Sequence, residues 1–439
     1  MRDTPTIFAP ASGTMRAGVT VVRVSGPAAL AGFAALSRLK KIVPRKAHYV
    51  SLKDTGTGAL LDRALVIYFK SPASFTGEDV VEYYLHGGKS VVDGMLQALA
   101  KMDNSRMAEP GEFTRRAFEN GKLDLTEAEA VADLIAAETE AQRLQALDQL
   151  GGSLAKLYQG WTDTLSGMLA HQEAEIEFPE DDLPQGIADG LMQKIKTLKT
   201  DIDAHLNDAR RGEMLRSGVL IAIIGAPNAG KSSLLNALAA RDVAIVSEEA
   251  GTTRDVIEVH LDLGGYPVIL ADTAGLRETE HGIEAEGIRR AHALAARADL
   301  KIALFDGTLA KPDDTTLQMV DHHTVTVLTK ADQGIQLPVD GYPVSVVTGQ
   351  GMDDFLKILT QKTRDMLTGE RVGPVLTRQR HRAALEEAGI ALDRAVQATL
   401  PELAAEDMRL ALRALGRITG RVHVEELLDK IFRDFCIGK

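Results

Sequence analysis

The stretch GAPNAGKSS, residues 225–233, spaces glycines, a lysine and serines as a phosphate cradle requires. An apolar run, VLIAII, precedes it and LLNAL follows, so the loop joins a strand to a helix, the context that gives this motif its meaning. Gly225 and Gly230 let the backbone curl until its N–H groups point inward. Lys231 brings positive charge to the outer phosphates, and the Ser232 hydroxyl is placed to ligate Mg²⁺. Asn228, Ala229, Gly230 and Ser233 complete the loop. The implied chemistry is binding and cleavage of a nucleoside triphosphate.

Three further motifs follow in a fixed order. AGTTRD carries Thr252 and Thr253, the latter able to complete a Mg²⁺ shell. LDLGGYPVILADTAG reads as a hairpin ending in Asp272, Thr273, Ala274 and Gly275, where an Asp holds Mg²⁺ through water and a glycine N–H meets the γ-phosphate. TVLTKAD then ends an apolar strand with Thr329, Lys330 and Asp332. Asp332 can accept two hydrogen bonds from the guanine edge, which adenine does not offer, and Lys330 can lie along the base. Ser345, Val346 and Val347 follow at the distance from which a backbone N–H reaches the guanine carbonyl. The set looks like a G domain of the translation-factor-related GTPases. Two positions depart from the usual pattern. Thr329 stands where Asn is usual, so one base contact is expected to be lost or water-mediated. Val346-Val347 replaces Ala-Lys, which leaves the backbone donor intact.

Leu276 occupies the place where many GTPases carry a water-orienting Gln, and no Arg is recognisable as a finger. Two substitutes are available. The Asn228 carboxamide can ligate a monovalent cation, with backbone carbonyls of SEEAGTT closing the cage; K⁺ there sits where an arginine finger's guanidinium would. For the attacking water, Glu278, Glu284 and Glu286 follow the DTAG motif; Glu278 and Glu286 read as solvated helix-face acids.

These motifs occupy one of three textures. Residues 1–118 alternate β-rich runs such as GVTVVRVSG and RALVIYF with Gly/Pro turns, and SVVDGMLQALAKM reads as a helix. Residues 119–215 are helical: Thr126 and Glu129 are spaced as a capping box, Val131, Leu134 and Ile135 open an apolar stripe, and Leu191, Ile195, Leu198, Ile202 and Leu206 mark a later helix. Residues 216–370 alternate strand and helix, and 371–439 return to helix. The expected class is α/β plus all-α, with a Ras-like P-loop module inserted between two helical blocks that pack as one bundle.

Composition bounds the rest. Apolar residues make up 45% and charged residues 26%, ordinary for a globular chain. The net charge of −12 argues against a surface that traps nucleic acid as a whole. One cysteine excludes internal disulfides. No apolar run approaches bilayer length, and MRDTPTIFAPASG has no apolar signal core, so a cytoplasmic location without a membrane is expected. Arg115-Arg116, Arg210-Arg211 and RQRHR (378–382) are local basic clusters, read either as contacts to RNA phosphates or as solvated helix faces. Trp161 reads as packed.

The final stretch, FRDFCIGK, is apolar and holds the single cysteine, Cys436. With the P-loop Asn, AGTTRD, DTAGLRET, VVRVSGP, SFTGEDVVEYYLHGG, EPGEFTRRAFENGKLDLTEAEAVADLI and RLALRALGRITG, the whole chain resembles the MnmE (TrmE) family of tRNA uridine-modification GTPases. That resemblance implies an N-terminal domain, 1–118, that is folate-binding-like and dimerises. It implies a homodimer working with the flavoprotein MnmG (GidA) as a heterotetramer on tRNA. The reaction implied is addition of a (carboxymethyl)aminomethyl group at C5 of the wobble uridine, with the carbon drawn from 5-formyl- or 5,10-methylene-tetrahydrofolate. GTP hydrolysis is implied to be activated by K⁺ as G domains pair. Residue by residue, folate contacts fall on Arg23, Glu78, Lys122 and Lys439. The K⁺ ligands fall on Asn228, Ser247, Glu249 and Thr252, the Mg²⁺ ligands on Ser232 and Thr253, and the water-orienting acid on Glu284. A tail reaching the folate pocket would be anchored by Phe432 and Phe435 and would hold Cys436 near the chemistry. Two readings of Cys436 stand: a reactive thiol, or a small buried residue. The rival to the whole scheme is a GTP switch that assembles on ribosomal RNA and transfers no group; a further alternative keeps the GTPase and loses the folate.

Overall fold

The computed structural model describes residues 4–13, 17–39, 41–177, 187–241, 243–245, 257–272, 292–369, 373–422, 425–433 and 435–438. They fall into two compact units, 1–132 with 416–439, and 133–415. These limits differ from the breaks at 118 and 371 that texture suggests. Texture reads helix against strand, whereas Leu125 and Ala128 pack with Phe118, Leu428, Phe432 and Phe435 in one small core.

The first unit is a six-stranded sheet in the order β3-β4-β5-β2-β1-β6. Its strands are β1 (Thr6–Pro10), β2 (Ala17–Ser25), β3 (His48–Lys53), β4 (Leu60–Phe69), β5 (Val80–Gly87) and β6 (Ser105–Met107). All neighbours run antiparallel except β1 and β6. Side chains alternate between faces along a strand, and the split is visible here. Phe8, Val22, Val24, Val81, Tyr83 and Leu85 face a core closed by α1 (Ala29–Ser37) and α2 (Lys89–Ala100). Ile7 and Ala9 pack on the other side with Ala108 and Phe113. Arg23 and Ser25, alternating with Val22 and Val24, are therefore directed to that second face. Phe113 belongs to α3 (Glu112–Glu119), and α4 (Leu125–Ala136) follows.

The helical stretch that begins near Thr126 divides into two helices, α4 and α5 (Glu140–Leu150). The first cap also lies elsewhere than expected. Asp124 and Glu127 exchange hydrogen bonds, each side chain accepting from the other's N–H at 2.9 Å. The box that Thr126 and Glu129 suggested is thus shifted by two residues, because Asp124 accepts as well as Thr does and precedes it. A second box, Thr139 with Gln142, starts α5. Ile135 is exposed rather than part of a buried stripe.

The second unit continues with α6 (Ser153–Glu177), α7 (Ile187–Leu206) and α8 (Arg211–Ser217). Leu191, Ile195, Leu198 and Ile202 of α7 are buried, as expected. Trp161 is buried beside Tyr158 and His205. The chain then builds a sheet in the order β12-β11-β10-β7-β9-β8. These strands are β7 (Val219–Gly225), β8 (Ile257–Leu263), β9 (Tyr266–Asp272), β10 (Leu300–Asp306), β11 (Thr324–Thr329) and β12 (Tyr342–Pro343). All pairs are parallel except β8 with β9. Ile221, Ile223, Ile302 and Leu304 face one core, with α9 (Lys231–Ala239) and, beyond the short α10 (Asp314–Gln318), α11 (Met352–Leu367). Ala222, Ile224, Ala303 and Phe305 face another. Near-continuous apolar strands buried on both faces are the signature of a doubly wound α/β sheet. Helices α12 (Gln379–Gln397) and α13 (Pro401–Thr419) follow, with α12 packing on α7. The α/β module thus lies between helical segments in sequence, as expected. A last helix, α14 (Glu425–Arg433), belongs to the first unit.

Candidate functional site

Ligands of doubly wound sheets bind beyond the carboxyl ends of the strands. Here β7, β10 and β11 end side by side, with Leu304 paired to Gly225 and Asp306 to Thr329. The loop after β7 shows why Gly225 is glycine: a Cβ there would lie 2.7 Å from the Leu304 carbonyl oxygen. Asn228 adopts a left-handed conformation, φ 64°, which Asn tolerates better than most residues. α9 starts at Lys231, so the positive end of the helix lies at the loop. The Lys231 ammonium donates to the carbonyls of Gly225 at 2.8 Å and Ala226 at 3.0 Å. Ser232 and Ser233 are exposed on the first turn of α9.

The base motif is tied into this loop. Thr329 is buried, and its hydroxyl donates to the Ala229 carbonyl at 2.9 Å and the Phe305 carbonyl at 3.1 Å. The hydroxyl that replaces the usual carboxamide therefore braces the phosphate loop. Lys330 is left-handed at φ 58° and reaches Asp306 at 2.5 Å. Burial pushes the Asp306 carboxyl up, but bonds from Lys330 and Thr308 outweigh it and hold the group below the usual carboxylate range. Asp332 is exposed on the 3₁₀ turn Ala331–Gln333. Ser345 is buried, its hydroxyl accepting from Thr348 N–H at 3.2 Å, while Val347 is 88% exposed beside the half-buried Val346. Sequence reasoning missed Asp306; its signal was an Asp closing the apolar run LKIALFD.

β9 ends at Asp272. Ser247, Glu249, Thr252, Thr253, Thr273, Ala274, Gly275, Glu284 and Lys439 lie outside the described residues.

In the first unit, Arg23 pairs with Glu82 at 3.0 Å, its cross-strand neighbour. The Arg23 guanidinium lies 5.3 Å from the Phe75 ring centre and 5.7 Å from that of Phe113. Glu78 accepts from Ser25 at 2.6 Å and pairs with Arg116 at 3.1 Å. Arg116 also pairs with Glu112 at 2.9 Å, and Glu112 with Arg106 at 2.7 Å. Burial pushes the Glu112 carboxyl up, yet bonds from Arg106, the Glu109 N–H and Arg116 prevail and leave it below the usual range. Lys122 donates to the Pro72 carbonyl at 3.0 Å, and its stem runs alongside Gly77. Arg23 and Lys122 thus flank the 72–79 loop, which carries Glu78. Arg116 and Phe113 went unread as members of this cluster, because nothing local in FTRRAF points to Glu78.

The tail docks on the same unit. Phe432 and Phe435 are buried, 5.5 Å apart between ring centres, with Phe118 6.4 Å from Phe432. Gly111 N–H donates to the Cys436 carbonyl at 3.4 Å. Gly438, φ 96°, passes so close to β1 that a Cβ would lie 1.9 Å from the Pro10 carbonyl oxygen. Pro10 adjoins Ala9, the partner of Arg23, so Gly438 lies against the strand beside Arg23. Cys436 itself is exposed, which removes the reading of it as a small buried residue.

The basic clusters are engaged within the protein. Arg115 pairs with Glu119 and Asp429, and Arg116 is buried. Arg210 pairs with Glu213, Arg378 with Asp133, and Arg382 with Asp208 and Glu213. Neither RNA contact nor a plain solvated face describes Arg116 or Arg382.

A doubly wound sheet carrying a phosphate loop and an adjoining base motif at its carboxyl edge defines the P-loop GTPase fold. The model for the MnmE helical domain matches residues 125–436, and that for the GTP-binding protein TrmE N-terminus matches 6–122. A tRNA modification GTPase MnmE from Parvibaculum lavamentivorans is 53% identical over 447 residues, covering 99% of this chain and 100% of the relative. Another from Rhodospirillum rubrum is 52% identical over 454 residues, with 99% of each covered. The mitochondrial 5-taurinomethyluridine-[tRNA] synthase subunit GTPB3 of Danio rerio is 46% identical, covering 99% of this chain and 93% of that one. The chain belongs to the MnmE family.

Proposed function

We propose that this chain is the GTP-hydrolysing subunit of a tRNA-modifying complex. With a flavoprotein of the MnmG (GidA) type, it adds a (carboxymethyl)aminomethyl group to C5 of wobble uridine, using a tetrahydrofolate one-carbon unit. The observation that carries this reading is the full-length relationship: the N-terminal unit and the tail are shared with tRNA modification GTPases, not the P-loop module alone. An assembly GTPase acting on ribosomal RNA needs neither.

The phosphate loop fits a triphosphate: glycine at the close approach, a lysine at the mouth, and a helix N-terminus behind. Lys231 offsets charge on the outer phosphates, Asp332 accepts from the guanine edge, and Ser232 and Thr253 hold Mg²⁺. Asn228, in its left-handed posture on the loop, fits a cation ligand, with Ser247, Glu249 and Thr252 completing the set. Bound K⁺ supplies there the positive charge that arginine fingers supply elsewhere. Glu284 orients the attacking water. Around the 72–79 loop, Arg23 and Glu78 each retain exposed surface, 22% and 18% of the side chain. With Lys122 and Lys439 they present the mixed charge that a folate's pterin and glutamate need. Bound folate supplies the carbon, and the exposed Cys436 is the reactive thiol. The functional unit is a homodimer, part of a heterotetramer with the flavoprotein, in the cytoplasm. Among the described residues no helix is long and apolar enough to cross a membrane.

The test is mass spectrometry of tRNA nucleosides from cells lacking the gene, with and without its restoration. C5-modified wobble uridines should vanish and return. If they are unchanged, the ribosomal-RNA reading takes over.

A further inference from the structure

We infer that Asp306 is a positioning residue for guanine-nucleotide binding, acting through Lys330. The inference rests on reading this edge of the sheet as a guanine-nucleotide pocket. Asp306 closes β10, between the strand that ends in the phosphate loop and the strand that ends in the base motif. Both of its oxygens are committed. Oδ2 takes the Lys330 ammonium at 2.5 Å; Oδ1 takes the Thr308 hydroxyl at 2.7 Å and the Thr308 N–H at 3.1 Å. The carboxylate is 14% exposed, so water competes little for it. A lysine on its own is a flexible stem with a strongly hydrated tip. Pinned at the tip to a fixed carboxylate, and at its backbone in a left-handed conformation, Lys330 has few states left. Its methylene stem then stands as a prearranged apolar wall, the part of a lysine that packs against flat surfaces. Ordering that stem before the base arrives removes a cost of binding. The neighbouring Thr329 hydroxyl fixes the same turn to Ala229 of the phosphate loop, so the base wall and the phosphate loop are held in one register.

The experiment is a double-mutant cycle on the full-length chain, read by titration of fluorescent GDP. Asp306→Asn keeps size and removes the charge that holds Lys330; affinity should fall about tenfold, the scale of one charge-assisted hydrogen bond. Lys330→Met should fall by a similar factor. Asp306→Asn placed on Lys330→Met should cost no more than about twofold further, since the residue through which Asp306 acts is already gone. Full additivity, or an unchanged Kd in Asp306→Asn, would overturn the inference. Thr308→Val covers the case in which Asp306→Asn does not fold. It removes only the hydroxyl bond to Oδ1 and should weaken GDP about two- to threefold; no change there counts against the inference. Failure of the underlying nucleotide reading looks different: the unaltered chain would not bind GDP at all.

Discussion

Phe432→Ala should undock the tail, and its size can be worked from the packing. α14 has nine residues, too few to hold a helix in water unaided. Its order therefore comes from burying Leu428, Phe432 and Phe435 against Phe118, Leu125 and Ala128. Phe432 is 3% exposed. Truncating a buried Phe to Ala costs about 3–5 kcal/mol, and each large side chain contributes about 1.5–3 kcal/mol of burial to the docking. Removing one of three anchors therefore takes away a third or more of what holds the segment. Opening becomes at least about 100-fold more frequent, at 1.4 kcal/mol per factor of ten. Amide hydrogen exchange across residues 425–438 reads this directly, since such openings are local. Phe432→Leu, which keeps most of the volume, should accelerate exchange only about fivefold. If Phe432→Ala leaves exchange in this segment within about threefold of the parent, the Phe cluster is not what holds the tail, and the argument from packing fails.

Asn228→Ala should abolish the preference for K⁺ over Na⁺ in GTP hydrolysis; equal stimulation retained by the variant would dismiss the cation role. Cys436→Ser should leave GTP hydrolysis intact and reduce wobble-uridine modification, checked by nucleoside mass spectrometry against the parent; normal modification would leave the exposed thiol without a part in the chemistry. Lys301, bonded at 2.7 Å, draws the Asp321 carboxyl down to about 2. A carboxylate depressed on folding stabilises above its unfolded pKa of about 3.9 and stops doing so as pH falls through the folded value. Asp321→Asn should therefore melt below the parent at neutral pH, with the gap closing between about pH 4 and 2. The gap should be small, because Asp321 is 44% exposed; a gap that persists unchanged at pH 2 would contradict the pairing.

The phosphate loop was legible because its demands are local. A position where a Cβ would lie 2.7 Å from a neighbouring carbonyl oxygen admits only glycine, and Gly225 stands there. The strand-then-loop-then-helix order of residues 219–239 is equally local. The tail was legible in a coarser way: Phe432 and Phe435 had to be buried somewhere, and they are. Less of the cap chemistry came through, since Thr126 and Asp124 both satisfy the cap pattern and only the register of α4 separates them.

The sequence by itself determined the class of fold, the phosphate loop and the order of the motifs, because hydrophobic period, glycine placement and helix caps act over a few residues. Tertiary structure alone decided where the polar ends of side chains go. Thr329 braces a carbonyl one hundred positions away. Arg116 spends its charge on Glu78 and Glu112, and Arg382 on Asp208 and Glu213. A charged or hydroxyl group finds its partner by distance in space once the core has fixed the backbone, and no spacing along the chain encodes that distance.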